Sequence, residues 1–361
     1  MVTLQPPEVD EIELTLLGPG RGECCVLHVG RGEWLIVDSC VTQAGHPAAL
    51  AYLASLGVPS SAVRWVIATH WHDDHIRGFA ELVGECSEAR VLHSAALEND
   101  EFMMLAASDP DSLTEQSSGV REMWKTWTLL DNSGRDAPEL VSADSRIHQR
   151  QESQTPNCEI WVLSPSSASV AEALSGFSAL IAETGQPKRT IPRPKRNPSS
   201  VVVWVQVGDV IALLGADLER SSDELRGWQA IARSSGRPTK KAHLVKIPHH
   251  GSEDAHDQVM WDDLLVPFPL AGITPFKQGS ANLPRDTDRA RIVALTSQAW
   301  LTRDKAFARP RRRPRAVSKT IEEATRRFER LSVEPGRVTF RCNATQPEDW
   351  TVDAPSPAIR L

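Results

Sequence analysis

The stretch His70-Trp71-His72-Asp73-Asp74-His75 gathers three imidazoles and two carboxylates directly after the apolar run from Val63 to Thr69. Side chains two apart on an extended chain point the same way, so His70 and His72 can grip one ion while Asp74 and His75, adjacent after the turn, face a second. Nitrogen-rich donors with one or two carboxylates suit zinc first and manganese or iron second. Three other strand ends carry donors of the same kind. Trp34-Leu35-Ile36-Val37 runs into Asp38, the run from Val210 to Ala216 delivers Asp217, and Leu244-Val245-Lys246-Ile247 leads to Pro248-His249-His250-Gly251-Ser252. Singly, Asp38 could cap a loop, Asp217 could precede a helix, and the two histidines could simply pack. Together they form a pattern that core packing has no reason to produce.

In this order the motifs resemble those of the metallo-β-lactamase fold, over roughly residues 11 to 302. The resemblance implies two divalent ions, zinc first and manganese as the alternative. It places His70, His72 and a shared Asp217 on the first ion, and Asp74, His75, Asp217 and His250, with His249 as the alternative, on the second. Asp38, Asp74 and Asp217 are the expected catalytic carboxylates, Asp38 by holding a ligating histidine or ordering its loop. Within the family, the Pro-His-His-Gly-Ser turn, the opening Asn197-Pro198-Ser199-Ser200-Val201-Val202-Val203 and the strand before Asp217 resemble most the nuclease-type domain of the DNA-uptake competence protein ComEC and its soluble relatives. Many family members place a metal-binding histidine near the middle strand, where this chain has Asn197, Ser199 and Ser200. His93 and His148 lie at no matching place and read as structural or exposed, Trp71 and Cys40 as packing, and Asp73 as surface.

The elements that position these residues follow from short β-branched or apolar runs and from 3.6-residue periodicity. Strands are expected at 12–17, 24–29, 34–37, 63–68, 89–93, 159–163, 201–207, 210–214, 243–247 and 337–342, and helices at 47–56, 74–83, 222–232 and 318–331. The expected fold is an α/β, four-layer αββα sandwich, one domain spanning 1–361. Insertions at about 99–157 and 165–200 would overhang the metal edge, followed by a basic segment at 303–315 and a C-terminal helix and strand within 318–342. Gly18 to Gly22 reads as a hairpin turn, since a phosphate-cradling loop would need a lysine, a hydroxyl and a following helix.

The formal net charge is −7, yet 187–196 carries five Lys or Arg and no acid, and 303–315 carries seven against Asp304 alone. Such blocks hold phosphates through a salt-sensitive attraction, or else are solvated loops or targets for a protease or regulatory partner. The function expected is a metal-dependent phosphodiesterase that cleaves DNA or RNA through a hydroxide shared by two ions, with Asn197, Ser200, Ser252, Arg193, Lys195 and Arg196 as substrate contacts and the basic loops as a possible gate. The alternatives are a small-molecule hydrolase acting on a lactone, thioester or cyclic nucleotide, and a non-catalytic metal-binding interaction protein. No apolar run is long enough for a membrane span and no leader pattern opens the chain, which reads as a cytoplasmic protein. The six cysteines lack Cys-x-x-Cys spacing, as reduced thiols would.

Overall fold

The fold, taken from a computed structural model, is described for residues 5–18, 22–97, 118–153, 155–183, 197–278, 281–304 and 335–361. Its first sheet contains β1 (Glu11–Gly18), β2 (Cys24–Val29), β3 (Trp34–Val37), β4 (Val63–Ala68), β5 (Arg90–Ser94) and β6 (Glu139–Val141). The second contains β7 (Ser145–Arg150), β8 (Cys158–Val162), β9 (Val203–Val207), β10 (Val210–Leu214), β11 (Ala242–Lys246) and β12 (Leu265–Ile273). A small hairpin, β13 (Phe276–Gln278) and β14 (Ala281–Leu283), stands apart; β15 (Ala299–Leu301) and β18 (Ile359–Arg360) extend the second sheet, and β16 (Gly336–Asn343) and β17 (Thr351–Asp353) the first. The strand orders are β17-β16-β1-β2-β3-β4-β5-β6 and β18-β15-β12-β11-β10-β9-β8-β7.

Alternation along the strands divides the apolar residues among three layers. In β3, Leu35 and Val37 face the space between the sheets, where they join Leu14, Ile67, Val205, Ala212 and Leu244; Trp34 and Ile36 face outward. There they pack with residues of α1 (Ala48–Ser55), α3 (Phe79–Glu85) and α4 (Ser118–Asn132); the short α2 (Asp73–Ile76) lies between α1 and α3 in sequence. The outer face of the second sheet meets Trp228 and Ile231 of α6 (Gly227–Arg233) and Ile292 of α7 (Asp286–Leu295), while α5 (Ser167–Glu183) leads out from β8. Helix, sheet, sheet and helix are therefore the four layers expected. No helix among the described residues is long and apolar enough to cross a membrane, and all six cysteines are buried and unpaired.

Several elements depart from expectation. The helix expected over 74–83 is two, broken at Gly78, which takes a left-handed φ of 72°. The one expected over 222–232 begins only at Gly227, whose φ is 60°. Within the presumed insertion at 99–157, β6 and β7 are edge strands of the two sheets rather than an overhang. The expected helix at 318–331 lies outside the described residues.

A fold-level prediction rests on His28. Its Nδ1–H donates to the Glu11 carbonyl (2.9 Å) and its Nε2 accepts from the Gly32 amide (3.0 Å), so a second proton would break the latter bond. Burial lowers its pKa to about 4 from 6.5. Because the folded value is the depressed one, this stability is fully present above pH 6.5 and is lost as the pH falls toward 4. Urea melts of wild type and His28→Gln should show a stability gap that narrows by about 2 kcal/mol between about pH 7.5 and about pH 5. A gap independent of pH would refute this account.

Candidate metal centre

Strands β3, β4, β5 and β6 run parallel, as do β10, β11, β12 and β15, so their carboxyl ends gather along one edge of the molecule. This is where open α/β sheets place their chemistry. From β3 comes Asp38, at φ 63°, where its carboxylate accepts from the Thr69 amide and hydroxyl, both at 2.8 Å, and from His75 Nδ1 at 2.7 Å. The bond to Asp38 fixes the proton of His75 on Nδ1 and turns Nε2 toward the centre. Since the Thr69 hydroxyl donates to Asp38, it accepts from His70 Nδ1 (3.0 Å), which frees His70 Nε2 in turn. Asp38 thus backs one histidine directly and another through a threonine.

Asp217 stands at the middle of the donors. Its Oδ2 lies 3.2 Å from His75 Nε2, 3.8 Å from His250 Nε2, and 4.0 Å from Nε2 of both His70 and His249. His70 Nε2 faces His72 Nδ1 at 3.0 Å, and His250 Nε2 lies 3.3 Å from Asp74 Oδ2. His250 is oriented by Nδ1, which meets the Thr274 carbonyl at 3.0 Å. Two donor groups overlap at Asp217: His70 and His72 on one side, and His75 and His250 with the nearby Glu23 on the other. His75 Nε2 and Asp217 Oδ1 are buried and make no hydrogen bond with any described group. Buried polar atoms left open in this way fit a cation-binding role, and imidazoles with carboxylates are a donor set for zinc or manganese.

The electrostatics agree. Burial and the neighbouring His75 and His72 hold His70 well below the usual histidine range, neutral as a ligand must be. Burial also works against charge on His75, but Asp217, Asp38, Glu23 and Asp74 outweigh it and raise its pKa. The same carboxylates would attract a divalent cation, which would displace the proton from the ligating nitrogen. Asp217 and Asp74 are held low because His75 and His250 overcome the cost of burying them.

The proposed substrate contacts fare differently. Asn197 is at the metal edge, its Nδ2 donating to Glu219 Oε1 (2.7 Å) and meeting His249 Nε2 (3.2 Å). Ser200 is fully buried beneath the metal strand, where the next residue's amide bonds the Thr69 carbonyl, and its hydroxyl makes no hydrogen bond with any described group. Ser252 is nine-tenths buried and its hydroxyl accepts from the Asp254 amide as a helix cap. Arg193, Lys195 and Arg196 lie outside the described residues. Arg303 is buried rather than part of a solvent-facing basic run, and Asp304 pairs with Arg289 at 2.9 Å. His93 is buried beside Trp127, Trp71 is buried in the outer core, and Cys40 is buried with its thiol pKa pushed up by burial.

Sequence reasoning missed Glu23 and Lys246, which are buried directly behind the donors. The available signal was a lysine inside an otherwise apolar strand, Leu244-Val245-Lys246-Ile247, where alternation leaves no solvent-facing side.

Residues 17–102 match the metallo-beta-lactamase superfamily model. That segment holds Asp38, His70, His72, Asp74 and His75; Asp217, His249 and His250 come after it. The two large sheets with outer helices are the architecture of the metallo-β-lactamase fold. Similar solved structures include the metallo-beta-lactamase fold protein YhfI from Bacillus subtilis, at 12% identity over 83% of this chain and 98% of that one with a TM-score of 0.42. Others are the metallo-beta-lactamase SMB-1 (14% identity, 68% and 81% covered, TM-score 0.34) and one from Cronobacter sakazakii with a HARLDQ motif (12%, 61% and 65%, 0.30). A search of curated proteins returned no match.

Proposed function

We propose that the protein is a metal-dependent phosphodiesterase acting on nucleic acid. The observation that carries the hydrolytic half is Asp217, a single carboxylate set among four imidazole nitrogens and shared by two donor groups. In this reading His70, His72 and Asp217 hold one divalent ion and Asp74, His75, Asp217 and His250 the other. Bound there, the ions supply a water made acidic enough to attack at neutral pH and a counter-charge for the oxygens of the reacting group. Asp38 and Thr69 keep His75 and His70 in the ligating tautomers, and Asp74, 13% exposed, is the carboxylate that opens toward the edge.

The nucleic-acid half rests on charge placement and on the ComEC-like motifs. The run 187–196 ends at Asn197, whose amide touches His249, and the run at 303–315 follows β15, whose carboxyl end lies on the metal edge. The described residues next to the two runs, Asn197 and the carboxyl end of β15, lie on the metal edge, which supports a phosphate backbone as the substrate there.

Incubation of the purified chain with labelled single- and double-stranded DNA and RNA, in zinc, manganese or magnesium, tests the reading. The expected result is cleavage that needs added ion and weakens with salt. Replacing the lysines and arginines of both runs by glutamine should flatten the salt dependence while hydrolysis of a small activated phosphodiester stays nearly unchanged. No cleavage of any nucleic acid, together with ion-dependent hydrolysis of a lactone, thioester or β-lactam, would replace it with a small-molecule hydrolase.

A further inference from the structure

The donors come from two sheets. His70, His72, Asp74 and His75 follow β4 of the first, whereas Asp217, His249 and His250 follow β10 and β11 of the second. A centre assembled this way works only if the halves are held in register to a fraction of an ångström, and the apolar layer between the sheets is not directional enough to do that.

One buried pair spans the gap. Glu23 opens β2 in the first sheet and Lys246 closes β11 in the second; they are 1% exposed each, and the Lys246 ammonium is in direct contact with Glu23 Oε1. A buried charge of either sign is costly unless fully paired, so a pair kept at this depth needs a reason. Lys246 reaches the ligand turn of its own side, and Glu23 reaches ligands of both sides. Lys246 Nζ donates to the carbonyl of Ala216 (2.7 Å), the residue held at φ 45° just before Asp217, and lies 3.8 Å from Asp217 Oδ1. Glu23 Oε2 accepts from the Thr274 hydroxyl (2.5 Å), and the Thr274 carbonyl receives His250 Nδ1. The Glu23 amide donates to the Asp74 carbonyl (2.8 Å), and Glu23 Oε1 is 3.7 Å from His75 Nδ1. Gly22 permits this approach: at φ 117°, a Cβ there would sit 2.9 Å from Cys40 Cβ and 3.2 Å from the Asp74 carbonyl oxygen.

We propose that Glu23 and Lys246 are positioning residues, a buried charge clamp that locks the two halves of the ligand set in register and so sets the affinity for the ion between Asp74, His75, Asp217 and His250. Glu23 lies within ligand range of His75, Asp217 and His250. Its two oxygens are nevertheless taken by Lys246 and Thr274, which places it behind the ligands rather than among them. The inference rests on the metal-centre reading above.

Electrostatics and registration predict opposite signs for one variant. Lys246 is a cation beside the ligands, so removing it would tighten binding of another cation if charge alone mattered, and Glu23→Gln would loosen it. The clamp predicts that Lys246→Met and Glu23→Gln both weaken zinc, by tenfold or more, as loss of groups that orient ligands does. It further predicts that the double variant is no weaker than the worse single one, because either change breaks the same tie.

The test is chelator-competition titration of the full-length chain with zinc, alongside visible absorption of the cobalt-loaded protein and thermal melts without metal. Weaker zinc in both single variants, with an altered cobalt spectrum, supports the clamp. Tighter zinc in Lys246→Met, or unchanged affinity in both with only a lower melting temperature, overturns it. Should either charge variant fail to fold, Thr274→Val removes just the hydroxyl that joins Glu23 to the His250 turn; it should weaken the same ion several-fold, and wild-type affinity there would overturn the clamp. A wild-type chain that binds no ion sinks the metal reading and the clamp with it, whereas two normally bound ions in the variants sink the clamp alone.

Discussion

Replacing Asp217 with alanine should lower turnover by roughly a thousandfold or more and strip metal from both positions, while the metal-free protein melts close to wild type. Among the described residues, its Oδ2 is the carboxylate oxygen placed 3.2 to 4.0 Å from His70, His75, His249 and His250 at once. On the two-ion reading proposed above, removing it takes a ligand from each ion. Asp74→Ala should abolish turnover as well, yet retain more metal, because the Asp74 carboxylate contacts His250 and His75 on one side of the centre. Elemental analysis beside the nuclease assay checks both parts. Full activity in either variant would sink the proposed chemistry, and equal metal loss in the two would remove the distinction between a shared and an unshared carboxylate. The fold should survive because the histidines that Asp217 leaves behind are neutralised by deprotonation. His75 is held protonated-prone largely by Asp217 itself, working against burial.

What was legible in the chain was whatever repeats with a short period or sits at the end of a run. Strand β4 announces itself as an apolar run that gives way to a histidine cluster, and β3, β10 and β11 each point at their donor by ending shortly before it. Strand β12 was not legible: Val266-Pro267-Phe268-Pro269 interrupts it, and two prolines argue against a ladder. In the fold those residues form an irregularity that carries the pairing from Ala242–Leu265 to Leu244–Leu270, after which β12 lies buried beside β11 and delivers Thr274. The three-residue β15 is too short to carry a period. Long-range polar pairings were beyond reach for a different reason. Nothing near Glu23 says that its partner is Lys246, because that contact exists only once the sheets have stacked, and a local pattern records only neighbours along one strand or helix turn. The same limit hid the burial of Ser200 and the capping bond of Ser252 to the Asp254 amide.

The neighbouring histidines should separate cleanly by metal analysis. His250 is buried, oriented through Nδ1 by the Thr274 carbonyl, and aims Nε2 at Asp74 and Asp217. His250→Ala should therefore lose the ion on the Asp74 side and with it nearly all activity. His249 stands on the other flank. Its side chain is 20% exposed, and its Nε2 is 4.0 Å from Asp217 and meets the amide of Asn197. His70 and His72 share only Asp217 as a third protein donor, and His249 Nε2 lies as far from Asp217 Oδ2, 4.0 Å, as His70 Nε2 does. His249→Ala should keep the ion beside His250 and bind the one beside His70 about tenfold more weakly, an effect the size of losing one supporting group. Zinc titration of the two variants decides it: retention of both ions in His250→Ala, with loss of one in His249→Ala at the Asp74 side, would exchange their roles.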